Sequence, residues 1–355
     1  MRLLPPPVIF HDINVNKIDS FKKTELGLRF LLSSSRCSRL LELAYLNLKI
    51  SIADCGMVSR KANESSCMES KISKLPIWKG AVHIEPLSGG ITNENFLVTD
   101  SRRKAIVRCG EDIPVHHISR INELAAGKAA FAAGLAPEIL YSEPGILIID
   151  YIVGRTLTSE DIRKPELQAK ILQLIKGCHR EIPKHLAGPA PIFWVFHVVR
   201  DYARVLKMGQ SAYQAKLPEL LQMAEELEAS AGPFDIVFGH NDLLAANFID
   251  DSKRLWLIDW EYAGFNTPLF DLGGLASNNG FSEEQEHDLL ERYFGREVSS
   301  VDWRRYQAMK CASLLRETMW SMVSEIHSAI DFDYAEYTQQ NLSAFEGSLK
   351  NFRDL

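Results

Sequence analysis

The amino-acid sequence predicts an α+β fold of two lobes, a small antiparallel-sheet lobe over 78–150 and a mainly helical lobe over 151–355. Short apolar runs, separated by glycines and polar residues, fill 82–149 and are typical of antiparallel strands. Beyond Gly154 apolar residues recur at helical spacing, and no repeat of fixed period suggests a solenoid. A length of 355 residues fits two lobes and an extension.

Residues 1–77 are predicted to be a loosely ordered or non-native extension, because their composition differs from the rest of the chain. They contain a proline triplet, a serine run and three of the six cysteines, with one short helix-like stretch. A targeting leader is the alternative, although no compact apolar segment follows a basic start. Met57 and Met68 are alternative start positions.

Composition excludes several classes of protein. The formal net charge of −6 argues against a protein that neutralises nucleic-acid phosphates. No uninterrupted apolar run approaches the ~20 residues of a membrane-spanning helix. The six cysteines form no CxxC pair, so we expect reduced thiols, no zinc site and a cytoplasmic location.

The elements of the small lobe follow from its turns. A glycine-containing loop over 87–93 separates the first two strands, and Ser119 and Gly134 are expected to begin and end one helix. The predicted strands are 82–86, 96–98, 105–108, 139–141 and 146–149, and the predicted helix is 119–133.

The elements of the large lobe follow from apolar residues at helical spacing, with a strand-rich island around its densest polar sequence. The predicted helices are 166–179, 194–206, 218–229, 283–294 and 301–328, and the predicted strands are 236–238 and 255–258.

The polar island contains three hard oxygen donors, Asp242, Asn247 and Asp259. Asp259 follows an apolar strand, which would hold its carboxylate rigidly at a sheet end. One or two carboxylates and a few further oxygens are what Mg²⁺ with a bound triphosphate requires. Asp242 would then be left to face a substrate hydroxyl. The alternative is a purely structural role, in which Asp242 only caps a helix and Asp259 only ends a strand.

The pattern His-x-Asp-x-x-x-x-Asn from His240, followed by an apolar strand that ends in Asp259, resembles the catalytic and metal-binding loops of protein-kinase-like phosphotransferases. The longer strings 240–248 and 258–264, with Phe270-Asp-Leu, are similar to the choline/ethanolamine kinase family, including its bacterial members. The resemblance covers about 78–350.

This resemblance implies a two-lobed protein-kinase-like fold that uses ATP and Mg²⁺. Asp242 would be the catalytic base, Asn247 and Asp259 would bind magnesium, and His240 would brace the loop. In the small lobe, the loop with Gly89, Gly90, Thr92 and Asn93 would cover the nucleotide phosphates. Arg108 would contact phosphates with Glu123 as its partner, unless both are solvated surface residues, and the backbone near Asp150 and Tyr151 would bind adenine.

The acceptor side is predicted from aromatic and acidic residues that the resemblance places near the catalytic base. Aromatic faces with nearby negative charge suit a quaternary ammonium. Trp320 stands at a choline-pocket tryptophan of the family, whereas Glu317 stands where a second aromatic is often found. Packing in the helical core is the alternative for the tryptophans. The candidate acceptor-binding residues are Glu261, Tyr262, Glu317 and Trp320.

The expected activity is phosphoryl transfer from ATP to the hydroxyl of a small amino alcohol, choline first and ethanolamine second. An aminoglycoside kinase or another small-molecule kinase is an alternative, as is a catalytically silent kinase-like binding module. We expect a small-molecule partner, no nucleic acid and no membrane span, and we leave a homodimer open.

Overall fold

The computed structural model describes residues 67–87 and 92–355, so Gly89 and Gly90 of the predicted phosphate loop lie outside the described residues. One compact unit spans Ile72–Leu355 and contains both predicted lobes, so it begins a few residues before the expected boundary at 78. Trp78 is buried and donates its indole N–H to the carbonyl of Ile72 at 2.8 Å. In the described part of the chain, no helix is both long and apolar enough to span a membrane.

The small lobe is a five-stranded sheet made of β1 His83–Leu87, β2 Glu94–Thr99, β3 Lys104–Cys109, β4 Ile139–Glu143 and β5 Ile146–Asp150. The strands lie in the order β1-β2-β3-β5-β4, and every neighbouring pair is antiparallel. Apolar residues alternate along β3, where Ala105 and Val107 are fully buried while Ile106 and Arg108 lie on the other face. This alternation directs Arg108 to the face that carries the site.

Helix α1, Arg120–Ala132, lies between β3 and β4, as predicted. Ser119 stands at the predicted N-cap position, but its side chain makes no capping bond. Asp112 does this instead, because its carboxylate accepts the N–H of Arg120 at 2.7 Å. Gly134, just past the helix end, has a φ of +75°, which glycine adopts without strain.

The large lobe is mainly helical and packs around a long central helix, α8. Its helices are α2 Ser159–Ile162, α3 Pro165–Arg180, α4 Val195–Met208, α5 Leu217–Ala231, α6 Pro268–Asn279, α7 Glu283–Phe294, α8 Ser300–His327 and α9 Tyr334–Arg353. Helices α2, α6 and α9 were not predicted from the sequence. Nearly every residue of α6 is buried, so the helix has no amphipathic pattern to recognise. Gly273 lets α6 approach α8, since a Cβ there would lie 2.8 Å from the Cα of Lys310.

Short strands of the large lobe carry the loops of the site. Strand β7, Val237–Gly239, pairs with β10, Gly264–Asn266, so the segments that follow β7 and precede β10 are neighbours. The remaining three strands form an antiparallel sheet, β6 Arg155–Thr156, β8 Phe248–Asp250 and β9 Leu255–Leu257. The loop after β7 and the loop after β9 thereby meet at one edge.

Candidate active site

Asp271, in the first turn of α6, holds the loop that follows β7. Its buried carboxylate accepts the backbone N–H of His240 at 2.8 Å and that of Asn241 at 2.7 Å. The ring of His179 donates to the same carboxylate at 3.0 Å. Burial disfavours the charged form of Asp271, but these bonds outweigh it and keep its pKa below the usual range. The loop is therefore fixed by a buried carboxylate rather than by secondary structure.

His240 and Asn241 join this loop to the loop after β9. The Nε2 of His240 donates to the carbonyl of Ile258 at 2.9 Å, and the side chain of Asn241 donates to the carbonyl of Tyr262 at 3.0 Å. Burial lowers the pKa of His240, so the ring is a neutral brace. The bracing role of His240 in catalysis stays a prediction.

The structure brings Asp242, Asn247 and Asp259 together. Asn247 donates its side-chain N–H to the carbonyl of Asp242 at 2.8 Å, and its own carbonyl accepts the N–H of Ile258, next to Asp259, at 3.0 Å. Asp259 has a φ of +69°, in the left-handed region that costs energy for a non-glycine residue. Such strain is common where a side chain must be aimed at a ligand.

Asn247 and Asp259 fit a magnesium ion that is shared with nucleotide phosphates. The amide nitrogen of Asn247 is bonded within the loop, which leaves its amide oxygen as the metal-binding end. Within 67–87 and 92–355, no group of three His, Cys, Asp or Glu side chains forms a metal cage. A magnesium ion here would need phosphate oxygens and water as its remaining ligands, as is usual for nucleotide-bound Mg²⁺.

Arg108 forms the predicted ion pair with Glu123 and extends it to the metal-side carboxylate. Its Nη1 lies 2.8 Å from Glu123 and 2.8 Å from Asp259, and its Nη2 lies 3.0 Å from Glu261. Burial disfavours both charged forms, but the attraction between them raises the pKa of Arg108 and lowers that of Asp259. A solvated strand-end arginine is therefore excluded.

Glu261 does not face the acceptor side, where the sequence analysis placed it. Its carboxylate accepts hydrogen bonds from Thr92 at 3.1 Å, from Arg108 at 3.0 Å and from Arg120 at 3.2 Å, and Asn93 donates to it at 3.3 Å. Burial, with the nearby charge of Asp259, raises the pKa of Glu261. Glu261 thus joins the two lobes beside the phosphate loop.

Asp150 and Tyr151 connect the small lobe to the large one, at the predicted adenine position. The N–H of Asp150 donates to the carbonyl of Glu138 at 2.8 Å, and the N–H of Tyr151 donates to the carbonyl of Lys104 at 3.3 Å. These two N–H groups would have to be released before they could bind adenine.

Trp320 is buried rather than presented to a ligand, with only 3% of its surface exposed. Its indole N–H donates to the hydroxyl of Tyr262 at 2.9 Å, and its ring packs against His116 at a centroid distance of 5.0 Å. Tyr262 is also buried, and its ring covers the guanidinium of Arg316 at 4.4 Å. This environment is that of the packing alternative.

Glu317 and Arg316 of α8 line a narrow cleft together with Asp242, and Asn278 and Ser313 also line it. The carboxylate of Glu317 accepts from Tyr337 at 2.8 Å and from the Nη1 of Arg316 at 2.6 Å. The same Nη1 lies 3.9 Å from the carboxylate of Asp242. Burial raises the pKa of Asp242 to about 8, although Arg316 acts to lower it.

The sequence model of the choline/ethanolamine kinase family matches residues 84–288. The chain belongs to the choline/ethanolamine kinase family. It is therefore a small-molecule kinase, which removes the alternative of a catalytically silent module.

Relatives agree with this assignment over most of the chain. Ethanolamine kinase 2 of Mus musculus is 30% identical over 300 residues, which are 74% of this chain and 75% of the relative. A probable ethanolamine kinase of Arabidopsis thaliana is 28% identical over 289 residues, 72% of this chain and 76% of the relative.

A solved structure supports the same conclusion for the fold. The crystal structure of a choline/ethanolamine kinase family protein from Mesorhizobium loti is similar with a TM-score of 0.66 and 27% identity, over 80% of this chain and 94% of that chain. The predicted protein-kinase-like fold is confirmed.

Three residues of this family member's site were missed by the sequence analysis: Arg120, Asp271 and Arg316. Asp271 stands in the string Phe270-Asp-Leu, which resembles the family and could have marked it. Arg120 and Arg316 carry no local signal, because an arginine in a helix is usually solvated. The family match ends before α8, so it does not include Arg316, Glu317 or Trp320.

Proposed function

We propose that the protein transfers the γ-phosphoryl group of ATP, with Mg²⁺, to the hydroxyl of a small amino alcohol. The observation that supports this most is the position of Asp242 between two groups. Its backbone carbonyl is bonded to Asn247 on the metal side, at 2.8 Å, and its carboxylate lies 3.9 Å from Arg316 on the acceptor side. A base placed between a nucleotide site and an acceptor cleft is what phosphoryl transfer requires.

In the proposed reaction, Asp242 orients the acceptor hydroxyl and takes its proton. The hydroxyl oxygen forms a bond to the γ-phosphorus while the bond from that phosphorus to ADP breaks. Magnesium held by Asn247 and Asp259 would neutralise phosphate charge, and Arg108 adds a fixed positive charge on the same side. A base whose pKa lies near 8 can hold the proton until product leaves.

We place ethanolamine ahead of choline as the amino alcohol, the reverse of the order predicted from the sequence. Glu317 offers carboxylate oxygens to the cleft, and a primary ammonium can donate hydrogen bonds to them. A quaternary ammonium lacks these donors and needs exposed aromatic faces, whereas Trp320 is buried. We place the reaction in the cytoplasm, which Cys178 and Cys311 support because they form no disulfide within 67–87 and 92–355.

ADP formation by the purified protein tests the proposal. The assay contains ATP and Mg²⁺ with ethanolamine, choline, thiamine or an aminoglycoside, with and without a chelator. We expect ADP formation that requires both Mg²⁺ and an amino alcohol in the wild type, and none in Asp242→Asn. ADP formation that no acceptor stimulates would overturn the proposal.

A further inference from the structure

We propose that Arg316 binds a carboxylate of the acceptor, so that the preferred acceptor is a hydroxylated amino acid rather than a plain amino alcohol. The proposal rests on the proposed phosphoryl transfer and specifies the substrate class of that same cleft. Arg316 is then a specificity-determining residue opposite the catalytic base.

Arg316 has hydrogen-bond donors that the protein does not use. The residue is only 4% exposed, yet its Nε and Nη2 have no hydrogen-bond partner among residues 67–87 and 92–355. Among the described residues, its Nη1 is paired with Glu317 at 2.6 Å and lies 3.9 Å from Asp242. Leaving charged donors buried without partners destabilises a protein, so a ligand that pairs with both donors would be stabilised here.

The unused donors form the edge of the guanidinium that recognises carboxylates. The N–H bonds of Nε and Nη2 are nearly parallel, and their spacing matches the two oxygens of one carboxylate. The plane of the group is held by aromatic rings, because Tyr262 lies 4.4 Å and Phe193 5.8 Å from the Cζ of Arg316. A ligand would therefore meet a guanidinium that is already oriented.

Other unused polar atoms lie within the electrostatic reach of Arg316. The hydroxyl of Tyr202 and the Nδ1 of His116 are buried and likewise have no partner in the described part of the chain. Burial shifts both pKa values most, and the charge of Arg316 acts on both as well. Arg316 is the member of this group of unsatisfied residues that lines the cleft beside Asp242.

The cleft offers one partner for each group of a hydroxy amino acid. Asp242 suits the hydroxyl, Glu317 the ammonium group and Arg316 the carboxylate. Ethanolamine would leave the Arg316 donors unpaired, and choline would bring a second cation next to Arg316 without satisfying them. A buried polar site discriminates strongly against a ligand that leaves its groups unpaired.

Two matched acceptor pairs test the proposal, since the members of each pair differ only in a carboxylate. They are ethanolamine with serine, in both enantiomers, and 3-aminopropanol with homoserine. We expect the wild type to prefer the carboxylated member of at least one pair by about tenfold or more in kcat/KM. Equal rates, or a preference for the plain amino alcohol in both pairs, would overturn the proposal.

Substitution of Arg316 then tests which residue causes the preference. We expect Arg316→Met to remove the preference for the carboxylated acceptor. Arg316→Lys keeps the positive charge but lacks the two parallel N–H donors of the guanidinium, so it should retain only part of the preference. Both members of a pair are measured with the same variant, so the ratio of their kcat/KM values cancels any effect of Arg316 on Asp242. Arg200→Met, which breaks a partly exposed ion pair with Glu228 at 2.6 Å, is the matched control and should keep the wild-type ratio. An unchanged ratio in Arg316→Met would exclude Arg316 as the carboxylate-binding group.

The acceptor preference of the wild type tests the proposal even if a variant does not fold. The same measurement distinguishes a failure of the carboxylate proposal from a failure of the proposed function. If ethanolamine is phosphorylated and neither serine nor homoserine is, only the carboxylate proposal fails. If no acceptor of either pair stimulates ADP formation, and choline does not either, the proposed function itself fails.

Discussion

The two sides of the cleft at Asp242 hold their buried arginines in different ways. On the nucleotide side, both terminal nitrogens of Arg108 are paired, with Glu123, Asp259 and Glu261. On the acceptor side, only one terminal nitrogen of Arg316 is paired, with Glu317. Arg108 has an unpartnered Nε among the described residues but is positioned by three carboxylates before any ligand arrives. Arg316 lacks partners there at both Nε and Nη2, so it keeps a pair of donors for a ligand.

This difference separates the parts of the reaction. Phosphoryl transfer needs positioned charge, and the nucleotide side supplies it from residues within the range that matches the family. The residues proposed to select the acceptor, Arg316 and Glu317, lie on α8, beyond that range. The family assignment therefore describes the chemistry more closely than it describes the acceptor, and each prediction below tests one side.

The largest expected effect is that of Asp242→Asn, which removes the base shared by both sides. We expect kcat to fall by about 10²–10⁴-fold while ATP affinity stays near the wild-type value. Separate measurements of kcat and of nucleotide binding check this. More than a tenth of the wild-type kcat remaining would rule out Asp242 as the base.

Asp259→Ala affects the nucleotide side alone. It removes the carboxylate expected to bind magnesium and one partner of Arg108, so Mg²⁺ should no longer strengthen ATP binding. Calorimetry with and without Mg²⁺ measures this. Asp288→Ala, which removes an exposed acid on α7, is the control and should behave as the wild type. If Mg²⁺ still strengthens ATP binding to Asp259→Ala, the metal ligand lies elsewhere.

The pH dependence of the reaction connects the two sides. Burial raises the pKa of Asp242 to about 8, and below that pH the protonated carboxyl cannot accept a proton. We therefore expect kcat/KM to rise with pH, close to tenfold per unit below the pKa, and to level off above it. Arg316 lowers this pKa, so Arg316→Met should move the rise to higher pH. A profile that is flat from about pH 6 to 8 would contradict the assignment.

The sequence predicts those parts of the site whose residues lie close together along the chain. The sequence analysis identified Asp242, Asn247 and Asp259 because these residues lie in two short loops at a spacing that can be recognised from the sequence. Glu261 stands only two residues after Asp259, yet its partner Arg108 is 153 residues away in sequence. No local pattern shows which side of the cleft such a side chain faces.

The secondary structure was likewise predicted where local sequence patterns mark it and missed where they do not. The strands of the small lobe and its helix α1 were predicted to within a few residues, because turn residues separate them and β2, β3 and β5 alternate buried with less buried residues. Helix α6 is buried all round and contains Gly273 and Gly274, so neither periodicity nor helix propensity marks it. Its burial depends on contact with α8, which only the assembled fold provides.

Trp320→Leu tests the acceptor side with a smaller effect. The sequence alone predicts a ten- to thirtyfold higher KM for choline, from the loss of ~1–2 kcal/mol of cation–π attraction. Because Trp320 is buried and bonded to Tyr262, we now expect a loss of about 2–4 kcal/mol of stability and little change in either KM. Melting temperature and both KM values check this, with Trp320→Phe as the intermediate variant. An unchanged melting temperature with a tenfold higher KM would restore the original prediction.

The smallest effect is expected from a chain that starts at Met68. The compact unit begins at Ile72, so removal of 1–67 should leave kcat and the melting temperature close to those of the full chain. Activity and thermal unfolding of the two purified proteins provide the comparison. An insoluble or inactive truncated chain would show that the extension is structural.

The central claim is that the phosphoryl group reaches the hydroxyl of an amino-group-bearing acceptor. Phosphorus NMR of the wild-type protein with ATP, Mg²⁺ and either ethanolamine or serine measures this most directly. The account predicts a phosphomonoester resonance that grows in step with ADP and is absent without acceptor or with Asp242→Asn. ADP accompanied only by inorganic phosphate, with no phosphomonoester from any acceptor, would contradict it.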